Sequence, residues 1–276
     1  MNADVIKKGV IEGYGKIAQR QPQGFISKLF ACCDTDKIVA EVSQKIGYSA
    51  EEMQAVPEGA NMGIGCGNPL ALAKIKAGQT VLDLGSGGGF DCFLAAPLVG
   101  DSGKVIGVDI TEEMINRAKQ NAKKGNYKNV HFIKGDIENL PIEDNSVDII
   151  ISNCVLNLST DKAKIFAEAN RVLKPNGELT ISDIVLLEEL PDFIKKSVEG
   201  YVACIAGAEK IDNYFMYAHQ AGFSDVKIET KTSFPLEILM TDPIAQKIVK
   251  DFNLTDEQIS NIANSITSIT MSAKKI

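Results

Sequence analysis

The stretch Val81-Leu82-Asp83-Leu84-Gly85-Ser86-Gly87-Gly88-Gly89-Phe90 decides how this chain folds. A short apolar run, Thr80–Leu84, enters a glycine loop, and a helical stretch reaching residue 98 leaves it. Glycines after a strand let the backbone approach a ligand closely at the carboxyl edge of a sheet. Phe90 stands where a dinucleotide fingerprint has Gly or Ala, which weakens an NAD reading. Asp83, two residues before Gly85, suits the ammonium of an amino-acid-like ligand better than a pyrophosphate.

Downstream, strands and helices alternate. Residues 104–108 read as a strand ending at Asp109, then a helix over 112–124, with further strands over 130–134, 147–152 and 178–185. A helix over 161–173 separates the last two. This βαβ rhythm predicts an α/β, Rossmann-like fold: a mostly parallel sheet with helices on both faces. Upstream, Val5, Ile6, Val10, Ile11, Tyr14, Ile17 and Ala18 recur at helical spacing. Ser49 and Glu52 make a capping box, with Tyr48 as a staple against Met53. Asn68-Pro69 opens a short helix running to about 78. Beyond 186 the reading is a helical stretch around 191–206, another over 211–221, a strand over 226–230 and a polar-faced helical tail. The division is therefore a helical segment over 1–69, a core over 70–186, and an α+β extension over 187–276.

Composition narrows the function. The 276 residues carry a formal net charge of −7, with no basic block beyond short pairs, which argues against nucleic acid as a main partner. No run approaches the roughly 18 apolar residues of a membrane span, and no signal peptide is evident. Six cysteines are too sparse for a disulfide scaffold, so a reducing cytosol is expected, with the cysteines as thiols. Only His131 and His219 are present, which leaves little material for histidine acid–base chemistry.

Asp109, one βα unit after the glycine loop, places a carboxylate where both ribose hydroxyls are held. Gly135-Asp136-Ile137 puts an acceptor and an apolar side chain beside an adenine. Leu140-Pro141, Ser146-Val147-Asp148, the strand ending in Ser152-Asn153, and Arg171-Val172-Leu173-Lys174-Pro175-Asn176-Gly177-Glu178-Leu179 complete the series. In this order the segments resemble the class I S-adenosylmethionine-dependent methyltransferases over about residues 70–185. The resemblance implies that Asp83, Gly85, Ser86 and Gly87 hold the methionine moiety and that Asp109 binds the ribose. It implies too that Ile110 and Met114 line the adenine, that Asp136 and Ile137 contact its edge and face, and that Asn153 sits where the transferred methyl points.

Methyl transfer needs a nucleophile near the sulfonium methyl, and most oxygen or nitrogen acceptors need a base. Neither histidine is well placed, but cysteines are. Cys66 lies in Gly63-Ile64-Gly65-Cys66-Gly67-Asn68-Pro69, where flanking glycines predict a mobile loop. Cys154 follows the fourth strand, and Cys204 lies in Cys204-Ile205-Ala206-Gly207-Ala208, in a segment that commonly roofs such sites. Taken singly, each also reads as a core residue; Cys92, inside the first core helix, is read as structural.

Together the segments GCGNP, LGSGGGFDC, SNCVLNL and CIAGA resemble the arsenite S-adenosylmethionine methyltransferases, over most of the chain to about 235. The resemblance implies As(III) on Cys66, Cys154 and Cys204, a soft centre on thiolates whose lone pair attacks the methyl without a base. It also implies a fourth thiol, Cys32 or Cys33, that helps return arsenic to the trivalent state, and a thioredoxin or small thiol that reduces the resulting disulfide. An incidental cysteine pair in a loop is the alternative for Cys32-Cys33. Many relatives carry cysteine pairs near the C-terminus, whereas no cysteine follows Cys204 here. The substrate implied is arsenite or its thiol adduct. Two rival readings stand: a carbon methyltransferase of a quinone or sterol-like lipid, and a non-catalytic As(III)-binding protein.

Overall fold

Five runs pair side by side in parallel: β1 (Thr80–Leu84), β2 (Lys104–Asp109), β3 (Val130–Lys134), β4 (Val147–Asn153) and β5 (Leu173–Leu186). Of these, β1, β2, β4 and β5 carry the near-continuous Val, Ile and Leu of strands buried on both faces, and β3 closes the edge with His131 and Lys134 exposed. With β6 (Phe223–Ser233) and β7 (Ile266–Lys275) they form a seven-stranded sheet in the order β3-β2-β1-β4-β5-β7-β6. This computed structural model describes residues 2–19, 35–233 and 243–276.

Helices cover both faces. On one lie α4 (Phe90–Val99) and α5 (Glu112–Lys124), whose Phe93, Ala95, Ile115 and Ala118 pack with Val81, Val105 and Ile149. On the other, α6 (Lys162–Val172) and α9 (Ile211–Gln220) bring Phe166, Ala169, Tyr214 and Ala218 onto Leu82, Ile150 and Leu179. Each large apolar side chain so buried contributes about 1.5–3 kcal/mol. The chain runs outward from β1 through β2 and β3, then returns to β4 on the other side of β1. The carboxyl ends of β1 and β4 therefore flank a switch point, where open α/β sheets leave a crevice.

Helix α1 (Ala3–Ala18) lies across this end of the sheet, and α2 (Thr35–Lys45) and α3 (Ala50–Gln54) precede the glycine-rich loop. Two glycines let α1 dock on α8 (Val198–Val202): a Cβ on Gly9 would lie 2.2 Å from Val198 Cγ1, and one on Gly13 2.7 Å from Val202 Cγ1. The expected capping box is present, Ser49 Oγ accepting from Glu52 N at 3.1 Å and Glu52 Oε2 from Ser49 N at 2.7 Å. No helix among the described residues is long and apolar enough to cross a membrane.

The structure corrects three readings. The tail is not wholly helical: helices Pro243–Asp251 and Asp256–Asn264 precede β7, which runs antiparallel between β5 and β6. Ile266-Thr267-Ser268-Ile269-Thr270-Met271 shows no clean two-residue alternation, because Thr267, Ser268 and Thr270 are buried along with Ile266, Ile269 and Met271, so polarity misled the reading. The stretch around 191–206 holds two short helices, α7 (Asp192–Lys195) and α8, because Ser197 ends one and caps the next through Gly200 N. After Asn68-Pro69 only a 3-10 turn, Pro69–Ala71, forms. Tyr48 turns its hydroxyl to Asp91 as a buried hydrogen-bond donor, at 2.6 Å.

If β7 is an interior strand, Met271→Ala costs about 2–5 kcal/mol in urea unfolding, as a buried truncation does. Lys274→Ala on the same strand costs less than about 0.5 kcal/mol, as a surface change does. Equal small losses would contradict this placement.

Candidate active site

A cavity of about 210 Å³ opens at the carboxyl ends of β1 and β4. Gly85, Gly87 and Gly89 take positive φ (70°, 50° and 91°), so the loop after β1 turns under the cavity in a conformation side chains resist. A Cβ on Gly85 would lie 2.3 Å from Val155 Cγ2, and one on Gly88 2.9 Å from the Ala60 carbonyl oxygen. Asp109 accepts from Gly87 N at 3.0 Å and Thr111 N at 2.8 Å, which fixes its carboxylate beside the loop. Among the described residues, Ser86 Oγ is a buried polar atom on the cavity wall with no hydrogen-bond partner. A glycine cradle, a fixed carboxylate and an orphan hydroxyl together fit a polar ligand of nucleoside type.

Of the residues predicted for the cofactor, Asp83, Gly85, Ser86, Gly87, Asp109, Ile110, Asp136, Ile137 and Asn153 all line this cavity. Met114 stands apart: the helical period turns it, with Ile115 and Ala118, to the buried face of α5. Sequence reasoning missed the helix overhead. From α1, Ile6, Lys7, Val10 and Tyr14 line the cavity, and Lys7 pairs with Asp136 and, at 3.5 Å, with Glu138. The apolar period of α1 was legible, but nothing in it said which surface it covers.

The cysteines converge at one side. Cys154, on the cavity wall, sits in an apolar cluster with Cys66, Cys204, Ile184, Leu186 and Ile205. Its thiol interacts with those of both Cys66 and Cys204. Cys154 and Cys204 hold φ of 57° and 58°, a left-handed backbone that side-chain-bearing residues rarely adopt and that marks a position under other constraint. Cys154 N donates to Ser182 O at 2.8 Å, Cys204 Sγ donates to Cys154 O at 3.1 Å, and Cys66 Sγ to Ser182 O at 3.5 Å. Tyr14, from α1, brings its hydroxyl to 3.3 Å from Cys204 Sγ.

Asn153 anchors the Cys66 loop. Its Oδ1 accepts from Cys66 N at 3.0 Å, and its Nδ2 donates to Gly67 O at 2.8 Å, Tyr48 Oη at 2.9 Å and Asp91 Oδ2 at 3.2 Å. From β7, Ser268 Oγ donates to Cys66 O at 2.6 Å. The glycines around Cys66 thus serve close approach, not mobility: a Cβ on Gly65 would meet Asn153 Nδ2 at 2.8 Å, and one on Gly67 would meet Ser182 Cβ at 2.8 Å. On the other side, Asn157 Nδ2 donates to Ile184 O at 2.6 Å and Cys204 O at 3.2 Å, tying the Cys204 segment to the sheet. Cys92, read as structural, is buried and donates to Asp83 Oδ2 at 3.2 Å. Cys32 and Cys33 lie outside the described residues.

Burial sets the electrostatics. Desolvation pushes the Cys66 thiol up to about 11. Cys154 is raised well above the usual thiol range: its hydrogen bond with Cys204 opposes the shift, but contact with Cys66 and burial outweigh it. Cys204 is raised by its hydrogen bond with Cys154 and by burial. The thiols are therefore protonated at neutral pH. Asp83 is held well above the carboxylate range by burial and by the charge of Asp91, and burial brings Asp91 to about 6.

The fold and the cavity define a class I methyltransferase, and residues 75–232 match a family described as "Methyltransferase domain". The chain is 46% identical over 200 residues to an arsenite methyltransferase of Halobacterium salinarum, covering 72% of this chain and 51% of that protein. An arsenite methyltransferase of Aquipseudomonas alcaligenes is 37% identical over 222 residues, 78% of this chain and 61% of that one. Among solved structures, an arsenic(III) S-adenosylmethionine methyltransferase from Chlamydomonas reinhardtii superposes with a TM-score of 0.59 at 30% identity, over 86% of this chain and 72% of that one. The chain belongs to the arsenite methyltransferase family. It spans between half and two thirds of the length of these curated relatives.

Asp91 ionises near 3.8 in an unfolded chain but near 6 here, so the folded state keeps a proton that the unfolded state has lost. The contribution of Asp91 to stability is greatest at low pH and falls as pH rises through about 6. Asp91→Asn, which keeps the shape, therefore gains stability relative to the unmodified protein between about pH 4 and pH 7 in urea unfolding. A pH-independent difference would contradict the assignment.

Proposed function

We propose that this chain methylates trivalent arsenic, with S-adenosylmethionine in the cavity and As(III) on Cys66, Cys154 and Cys204. The observation that carries the reading is the convergence of these thiols beside the cavity, with Cys154 belonging to both. S-adenosylmethionine supplies an electrophilic methyl group on its sulfonium. Asp83 and the glycine loop hold its amino-acid end, Asp109 takes the ribose hydroxyls, and Asp136 and Ile137 border the adenine.

The protonated thiols suit arsenite. As(OH)3 exchanges its three hydroxides for the three thiols, each hydroxide taking one thiol proton and leaving as water. The neutral trithiolate formed is compatible with a buried apolar site. Arsenic keeps its lone pair and needs no general base, in keeping with the scarcity of histidine. After transfer arsenic is formally pentavalent. Two thiols supply two electrons to return it to the trivalent state and become a disulfide, with Cys32 or Cys33 as one partner. A thioredoxin or a small thiol then reduces that disulfide by exchange. A reducing cytoplasm, and a role in arsenic detoxification, fit such thiol chemistry.

The direct test incubates the purified protein with arsenite, reduced thiol and S-adenosylmethionine labelled in the methyl group. Labelled methylarsenicals are expected, and Cys154→Ser, which puts a hard oxygen in place of a soft ligand, lowers their yield by about tenfold or more. No label on arsenic would overturn the activity. Undiminished turnover in Cys154→Ser would overturn the coordination.

A further inference from the structure

We propose that the carboxylate of Asp183 is the counter-charge of the thiol site, stabilising the positive charge that methyl transfer leaves on arsenic. The inference rests on the three-thiol reading above. Asp183 lies on β5 and is wholly buried. A carboxylate oxygen of Asp183 and the Sγ atoms of Cys66 and Cys154 all lie within 4.8 Å of one another. Asp183 is neither a cofactor-binding residue nor an arsenic ligand in the proposed reaction.

The carboxylate is held in place. Ile184 N donates to Oδ1 at 2.9 Å, and the buried Tyr214 hydroxyl lies 2.9 Å from both Oδ2 and Asn157 Oδ1, between which its one proton is shared. The buried cation nearby, Lys162, donates to Gly207 O at 2.6 Å and pairs with Glu209 at 3.6 Å. Lys162 acts on both Glu209 and Asp183, so this trio of charges sums to minus one and its balance beside the thiols is negative.

The reaction has a use for that excess. The arsenic trithiolate is neutral, and its lone pair forms the As–C bond as the C–S bond of the sulfonium breaks. The electron pair of the broken bond stays on sulfur, which becomes a neutral thioether, and the positive charge passes to arsenic. The charge thus moves into an apolar cluster, where an unpaired cation is costly. A fixed anion a few ångströms from the thiolate sulfurs lowers the energy of that charge as it develops. It does little for the neutral trithiolate that precedes transfer.

Asp183→Asn separates the two states: Asn keeps the shape and one acceptor oxygen, its amide nitrogen replaces the oxygen that faces the Tyr214 hydroxyl, and the charge is lost. Arsenite affinity, followed by thiolate-to-arsenic charge-transfer absorption without S-adenosylmethionine, is expected to stay within about twofold of the unmodified protein. The single-turnover methylation rate is expected to fall about 100-fold, the size of a Coulomb interaction at such range in a medium of intermediate dielectric. Tyr214→Phe removes a hydrogen bond to Asp183 but leaves its charge, and loses less than about fivefold. An unchanged rate in Asp183→Asn, with the unmodified protein active, overturns the role of Asp183 alone. Loss of arsenite affinity in step with rate, or an equal loss in Tyr214→Phe, also overturns it, since a purely structural role does both. An unmodified protein that binds arsenite but never methylates it overturns this inference and the proposed activity together.

Discussion

The carboxamide of Asn153 is the interaction on which the site depends. It ends β4 at the switch point of the sheet and meets Cys66 N, Gly67 O, Tyr48 Oη and Asp91 Oδ2. Four separate segments are thereby drawn to one point: the glycine loop around Cys66, the turn before α3, the first turn of α4, and β4 itself. Because Asn153 precedes Cys154, the same side chain that holds the Cys66 loop fixes where that loop meets the next thiol. Leaving so many buried polar partners unpaired would cost about 1–3 kcal/mol each.

Burial and chemistry oppose each other here, and under the proposed function that opposition favours one kind of substrate. Three thiols packed among apolar side chains resist ionisation, which disfavours a ligand that must strip protons without accepting them. A metalloid hydroxide brings its own proton acceptors and leaves a neutral product. The left-handed backbone at Cys154 and Cys204 has the same logic: a glycine would relieve the strain but carry no sulfur.

Much of this was legible in the sequence, and the reasons differ by segment. The glycine loop after β1 was readable because positive φ and close approach admit almost nothing else, and the acids at 83, 109 and 136 stand at fixed offsets along a βαβ frame. Residues over 266–275 were misread because Thr267, Ser268 and Thr270 are polar, whereas the sheet buries them against β5 and β6. That error hid a contributor to the site, since Ser268 holds the Cys66 carbonyl. The site roles of Tyr14, Lys7 and Asp183 were illegible for another reason. Each acts across a tertiary contact, between α1 and the cavity or between β5 and the thiols, and no local pattern encodes such contacts.

The proposed site holds one arsenic on three sulfurs, from Cys66, Cys154 and Cys204. X-ray absorption at the arsenic edge, on protein loaded with one equivalent of arsenite, counts those ligands. Three sulfurs and no oxygen are expected around arsenic, falling to two sulfurs when any one of the three cysteines is replaced by serine. A first shell that retains oxygen in the unmodified protein, or keeps three sulfurs after the loss of Cys204, would contradict it.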